Sequence, residues 1–338
     1  MKTILKVLLL VILISITAVA SAFLILNRSN SNIPINGVEF EIKAGDSAGA
    51  VAYRLKDQKL ISSVLMFKII TRLSGLDRKL QQGFIRISSG EKTTDIIQKI
   101  LTGDIVTFTI TIPEGLNQKE ISKLLIDKKF VSQSDIDAFF AKKNYPQTVG
   151  LPANYTNLDG FLFPETYTFY KGATANFIFK NMVKLFYEKV AEINADYKEM
   201  DPKKFYETIT LASIIEKEIR APEETGIAAG VFLNRIRTGM KLQSCATVQY
   251  ILPKPKEQLL ETDLLIPSPY NTYLNEGLPP TPIANPGFTA LTAAFNPAKT
   301  DYYYFVVKDP ARGTHQFSTT YAEHLRAQNR YKALKGFY

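Results

Sequence analysis

Ile42-Lys-Ala-Gly45, Ile87-Ser-Ser-Gly90 and Ile112-Pro-Glu-Gly115 repeat one short pattern, in which an alternating strand ends in Ile-x-x-Gly and a helix-like segment follows. The glycine is the residue type that reaches a positive φ without a steric penalty, which is what a tight strand-to-helix turn needs. After the third copy, Asn117 is placed to cap a helix with Glu120 at its third position, and Ile121, Leu124 and Leu125 then share a face. The first two copies, joined by the amphipathic stretch Val64 to Leu73, predict a small α+β module starting near Gly37.

Upstream of it, an uncharged and almost wholly apolar run from Val7 to Leu26 is preceded by Lys2 and Lys6 and closed by Asn27-Arg28. Such a run is long enough to cross a bilayer as a helix, and the leading lysines put the N-terminus in the cytoplasm. Ala20-Ser-Ala22 reads as a signal-peptide cleavage site, but the apolar run continues through Phe23 to Leu26, which favours an uncleaved anchor. Residues 27–36 are polar and turn-rich, as expected of a linker.

The rest of the chain is rich enough in apolar residues (46% overall, with 17 Tyr and 21 Phe) to build real cores. Its single cysteine, Cys245, has no internal disulfide partner and reads as a small buried hydrophobe. The net charge is +9, three of the positive charges flanking the apolar run, which suits an anionic neighbourhood such as lipid head groups or cell wall. Export removes nucleic acid from reach, and no dense basic cluster with interleaved aromatics is present.

Further along, helices are expected from Asn176 (with Ile178, Met182, Leu185, Phe186 and Val190 on one face), from Pro202 to Ile219, and from Pro222 to a stop at Gly239. A loop dense in Pro, Asn and Tyr runs from Pro253 to Pro286, and Tyr302-Tyr-Tyr-Phe-Val-Val307 reads as a buried strand. Helices and strands do not alternate strictly, so the fold class is α+β.

Two histidines and one cysteine offer no metal-ligand spacing, and neither metal nor cofactor is expected. Gly45-Asp-Ser-Ala-Gly49 matches a nucleophile elbow, yet the same turn recurs twice without serine and no hydrolase sheet surrounds it, so Ser47 is read as structural. The stronger candidate is Glu216 in Leu211-Ala-Ser-Ile-Ile-Glu-Lys-Glu218. At about 100° per residue, Phe205, Ile209, Ala212, Glu216 and Ile219 fall within roughly 40° of one direction. A carboxyl among apolar groups holds its proton more tightly, as a general acid near neutral pH must. The bland alternative pairs Glu216 with an arginine such as Arg235. Glu218, Glu165 and Asp159 are secondary acids; the latter two sit in Asp159-Gly-Phe-Leu-Phe-Pro-Glu165-Thr-Tyr167, where Gly160 and Pro164 explain them as turn residues, but either would complete a two-carboxylate glycosidase.

On these stretches, together with Asn234 to Gln243, Ser268-Pro-Tyr-Asn-Thr-Tyr273, Gly277-Leu-Pro-Pro280, Pro282-Ile-Ala-Asn-Pro-Gly287 and His315-Gln-Phe-Ser318, the chain resembles the YceG-like family of endolytic murein transglycosylases over nearly its whole length. The resemblance implies a cytoplasmic tail (1–6), a single transmembrane anchor (7–26), a linker (27–36), a small α+β module like the LysM wall-binding fold (37–112) and a larger α+β catalytic domain (113–338) on the periplasmic or extracytoplasmic side of the bacterial inner membrane. It further implies cleavage of the β-1,4 bond between N-acetylmuramic acid and N-acetylglucosamine within a strand, without water, leaving 1,6-anhydro ends, with Glu216 as acid and base. Gln243, Thr247, Tyr270, Asn271, Thr272 and Asn285 would then line the sugar groove, and peptidoglycan synthases and division proteins would be partners. Two departures stand out. Ser244-Cys-Ala-Thr247 replaces a Ser-Asp-Pro-Thr pattern, and Thr281 replaces a glycine. The missing acid leaves open a wall-binding or division-scaffold protein that has lost turnover.

Overall fold

The computed structural model describes residues 2–29, 33–34, 36–43, 45–75, 80 and 82–334. Residues 30–32 and 35 of the expected linker, Ala44 of the first Ile-x-x-Gly turn, residues 76–79 and 81 of the expected wall-binding module and residues 335–338 of the expected catalytic domain lie outside that set. The chain forms two compact units, one of Met1–Thr109 with Thr168–Ala173, the other of Ile110–Tyr167 with Thr174–Tyr338. The chain passes from one unit to the other after Thr109, and the first unit also takes in a return segment, Thr168–Ala173, from within the expected 113–338.

The first unit opens with helix α1 (Lys2–Leu26), whose apolar side chains from Ile4 onward are exposed and have no protein core to enter. At about 1.5 Å per residue it is long enough for a bilayer's hydrocarbon layer of roughly 30 Å. The order then runs β1 (Val38–Ile42), α2 (Ala48–Asp57), α3 (Val64–Leu73), β2 (Gly83–Ile87) and α4 (Thr93–Thr102). Strands β1 and β2 pair antiparallel, Phe40 opposite Ile85 and Val38 opposite Ile87. Alternation sends Phe40, Ile42, Ile85 and Ile87 inward against Val51, Leu55, Phe67, Ile96 and Ile100 of the helices, while Glu39, Glu41 and Arg86 face out. The segment read as a linker is partly built into this core. Ile33 is buried in it, the Asn27 amide bonds both the backbone N–H and the hydroxyl of Thr94, and the Ser62 hydroxyl donates to the Arg28 carbonyl.

Each Ile-x-x-Gly turn closes as expected, with φ of 79° at Gly45, 86° at Gly90 and 75° at Gly115, and a helix starts three residues after each glycine. Ser47 is absorbed structurally: its hydroxyl caps α2 by accepting from Ala50 N. The third turn follows β3 (Thr107–Thr111), which pairs with β4 (Thr166–Tyr170) in a two-stranded sheet.

The second unit is mainly helical: α5 (Gln118–Asp127), α6 (Gln133–Phe140), α7 (Tyr145–Thr148), α8 (Ala175–Ile193), α9 (Pro202–Glu218), α10 (Thr225–Arg237), α11 (Cys245–Ile251) and α12 (Phe288–Phe295). A hairpin of β5 (Tyr304–Asp309) and β6 (Thr314–Ser318) and helix α13 (Tyr321–Leu334) complete it. Asn117 and Glu120 form the expected capping box on α5. The strand expected at 302–307 is β5, but it is half-buried rather than buried: a two-stranded ribbon touched by α13 and by Phe232 and Arg235 of α10 leaves residues partly open. The centre of the unit is α9. Its seven residues from Ile209 to Ile215 are all buried, with α10, α11 and α12 packed around them, so this is a core helix rather than one with a single apolar stripe.

Candidate active site

Helix α9 starts on the side chain of Asp201, which accepts from Lys204 N, with Pro202 in the first turn where a missing N–H costs nothing. It leaves the core at its C-terminal end, where Glu216 is the first half-buried residue after the buried run. The extended segment Pro282-Ile-Ala-Asn-Pro-Gly287 lies along this end and is fastened at every second residue. Ile283 N donates to the Ser213 hydroxyl (3.0 Å), Asn285 N to the Leu116 carbonyl (2.9 Å), and Gly287 N to Oε2 of Glu216 (3.0 Å). Gly287 is also the residue from which α12 begins. Among the described residues no protein donor reaches Oε1 of Glu216, so one oxygen is fixed and the other has no protein partner.

The Ile112-Pro-Glu-Gly115 turn closes over the same place. Gly115 N donates to the Asn285 carbonyl, Lys217 Nζ donates to the Gly115 carbonyl (3.1 Å), and the turn packs beside the Glu216 side chain. Burial pushes the Glu216 carboxyl above the ordinary glutamate range and the Glu114 carboxylate adds to this, while the Gly287 N–H and Lys217 pull the other way. Pairing of Glu216 with Arg235 does not occur: the guanidinium donates to the backbone carbonyls of Tyr303 and Leu242, both at 2.7 Å.

The secondary acids are engaged elsewhere. Asp159, 1% exposed, accepts from Gln118 N (2.6 Å) and from the Tyr250 hydroxyl (2.7 Å), and burial pushes its carboxyl up to about 6. Glu218 accepts from the Ser244 hydroxyl and from Ala246 N (3.2 Å), which makes it the N-terminal cap of α11. Glu165 is on the surface at the start of β4, bonded to Thr166 N.

Of the residues expected to line a sugar groove, four are buried and saturated by the protein itself. Asn271 donates to the carbonyls of Leu264 and Ile266 and accepts from Tyr273 N, which staples the long loop. Thr247 and Thr272 share a hydroxyl contact of 2.9 Å, and Thr272 also accepts from Ser244 N. The Asn285 side chain accepts from Leu162 N and donates to the Leu116 carbonyl. Gln243 is exposed, in a left-handed conformation (φ 49°) that a non-glycine residue adopts only when its surroundings hold it there, here through its N–H on the Thr272 carbonyl. Tyr270 is half-buried, its hydroxyl 2.9 Å from that of Thr281. Thr281 also accepts from the Asn157 amide, a link that glycine would not make. Cys245 is exposed rather than buried, Sγ lying 3.2 Å from the Tyr273 hydroxyl, because the first residue of α11 faces outward. A cavity of about 1210 Å³ lies along the N-terminal half of α9, between Tyr206, Thr210, Leu233, Phe295 and the Gly277-Leu-Pro-Pro280 turn; Glu216 is not in its wall.

Sequence reasoning passed over Glu114. A signal was there: the third position of the Ile-x-x-Gly turn is Ala44, then Ser89, then an acid, although the turn itself needs none.

The model of the YceG-like family matches residues 40–330. An endolytic murein transglycosylase of Bacillus subtilis is 35% identical over 88% of this chain and 86% of its own length. An endolytic murein transglycosylase of Streptococcus pneumoniae strain R6 is 26% identical over 84% of this chain, which spans 56% of that relative. In structure the chain is similar to a yceG-like protein of Listeria monocytogenes, with a TM-score of 0.53 at 30% identity, over 87% of this chain and 99% of the other. The family model covers most of both units, and a relative 35% identical is matched over 86% of its length: this protein belongs to the YceG-like family.

Proposed function

We propose that the protein is a lytic transglycosylase that cuts peptidoglycan glycan strands internally, at the β-1,4 bond between N-acetylmuramic acid and N-acetylglucosamine. The observation that carries this reading is Glu216, a half-buried carboxyl of raised proton affinity with one oxygen fixed by Gly287 N–H and the other open. Protonated, it gives its proton to the glycosidic oxygen as the bond to the muramic anomeric carbon breaks. As a carboxylate it then takes the proton of the muramic 6-hydroxyl while that oxygen closes on the same carbon. The nucleophile lies within the substrate, so no water is activated and Glu216 is regenerated. Gln243 and Tyr270, the expected sugar contacts that reach the surface, are the side chains assigned to the glycan.

Anchoring by α1, with the N-terminus in the cytoplasm, puts this chemistry beside nascent strands outside the membrane, where peptidoglycan synthases and division proteins work. The order β1-α2-α3-β2, with its strands antiparallel, supports a wall-binding role for the first unit.

Incubating the full chain in detergent with purified glycan strands and weighing the products tests the proposal. Fragments with anhydro ends, together no heavier than the starting strand, are expected. Fragments heavier by one water would mean hydrolysis, for which Glu114 supplies a second carboxyl near Glu216. Bound strands without any fragments would favour the scaffold reading that Cys245 motivates.

A further inference from the structure

We propose that Glu114 is a positioning residue for cleavage: seated in the space that Gly287 leaves by having no side chain, its carboxylate faces Glu216 across that glycine and keeps the working proton on Glu216 until the glycosidic oxygen arrives. This rests on the reading of Glu216 as acid and base.

Gly287 carries the geometric argument. Its backbone is at φ −77° and ψ 178°, extended values open to any residue, so conformation does not demand glycine there. Space does. A Cβ on Gly287 would stand 1.7 Å from Oε1 of Glu114 and 2.2 Å from its Cδ, so the carboxylate occupies the volume that any other residue would fill. The N–H of that same glycine holds Oε2 of Glu216 at 3.0 Å. A Cβ on Gly115 would lie 3.7 Å from Oε1 of Glu216, so the turn that carries Glu114 also closes on that carboxyl. A negative charge held at that glycine disfavours a second one on the more buried Glu216, adding to the effect of burial.

The other groups around Glu216 do not supply this effect. Lys217, on the same helix, acts in the opposite sense and is bonded to the Gly115 carbonyl. Helix α12 has no ionisable side chain, α11 meets α9 through Glu218, and Arg235 of α10 is turned to backbone carbonyls.

Two variants test the proposal without altering Glu216. Glu114→Gln removes the charge. Gly287→Ala keeps both acids and the N–H but expels the Glu114 carboxyl; the displaced group is the end of a flexible surface side chain, so the fold has little to accommodate. The full chain in detergent, at low ionic strength, is labelled with ¹³Cδ-glutamate, and the Glu216 signal is assigned by its loss in Glu216→Gln. Its titration midpoint is expected to move to lower pH in both variants, the alkaline limb of the kcat/KM profile moving with it, and added salt should shrink the difference. Midpoints unchanged in both folded variants would overturn the pairing and leave Glu114 a solvated surface acid. A midpoint that moves without the rate profile following would uphold the pairing and reject Glu216 as the acid.

Discussion

Asp159 and Glu216 are both acids of the second unit whose proton affinity burial raises, and their surroundings are of opposite kinds. Asp159 ties the first residue of α5 to Tyr250 of α11, and both of its oxygens are taken. Glu216 has one oxygen tied and one without a protein partner among the described residues. Burial accounts for the shift in each case, so a raised proton affinity marks desolvation and does not by itself mark catalysis. What separates the two is saturation: a carboxyl whose lone pairs are all used holds the fold, and one with an open oxygen can meet a substrate.

The hardest test of that contrast is Glu216→Gln. Loss of a general acid should cost roughly 10²- to 10⁴-fold in cleavage rate, read as anhydro-ended fragments per unit time. Stability at neutral pH should be unchanged or higher, since burial disfavours the charged form of the native carboxyl and the amide carries no charge to desolvate. Asp159→Asn probes the other side. Its amide can still accept from Gln118 N and donate to the Tyr250 oxygen, so cleavage should persist. Because the folded Asp159 carboxyl is raised from 3.8 to about 6, its contribution favours the native state below pH 4 and is lost as pH climbs to about 6. That loss is on the order of 3 kcal/mol. The variant should therefore show a flatter Tm across this window, and a folded Asp159→Asn as dead as Glu216→Gln would break the saturation criterion. The smallest effect is expected for Glu218→Gln. The amide can go on accepting from Ala246 N, giving up only about 0.3–1 kcal/mol of charge at the start of α11. Cleavage should stay near wild type, and a large drop would mean that Glu218 does more than cap.

Much of the scaffold was legible in the sequence because local rules agree with the final packing. The three Ile-x-x-Gly turns, α3 at Val64–Leu73 and the Asn117–Glu120 capping box depend on neighbours in the chain, and all formed as read. Glu216 was legible for a partly mistaken reason. The apolar stripe is real, but α9 is buried on every side from Ile209 to Ile215, and it is the helix's exit from the core that leaves Glu216 half open. The partners of the expected groove residues were not legible, because an amide or hydroxyl in a Pro-rich loop suits a sugar and a backbone carbonyl equally well. Asn271, Asn285, Thr247 and Thr272 turned out to serve the backbone and one another, a long-range matter that residue type does not encode. Glu114 escaped because its turn had already explained it; its neighbour Gly287 is 173 positions away by number and adjacent only after folding.

The clamp at the end of α1 has a mechanical consequence. A free ten-residue tether would let its cargo wander by roughly 15–20 Å root-mean-square. Asn27 on Thr94, Ser62 on Arg28 and Ile33 in the core take up that slack, so the first unit is mounted on its helix as on a post. If α1 spans a bilayer, as proposed, the height of the first unit above the lipid is set by the protein itself and not by a slack tether.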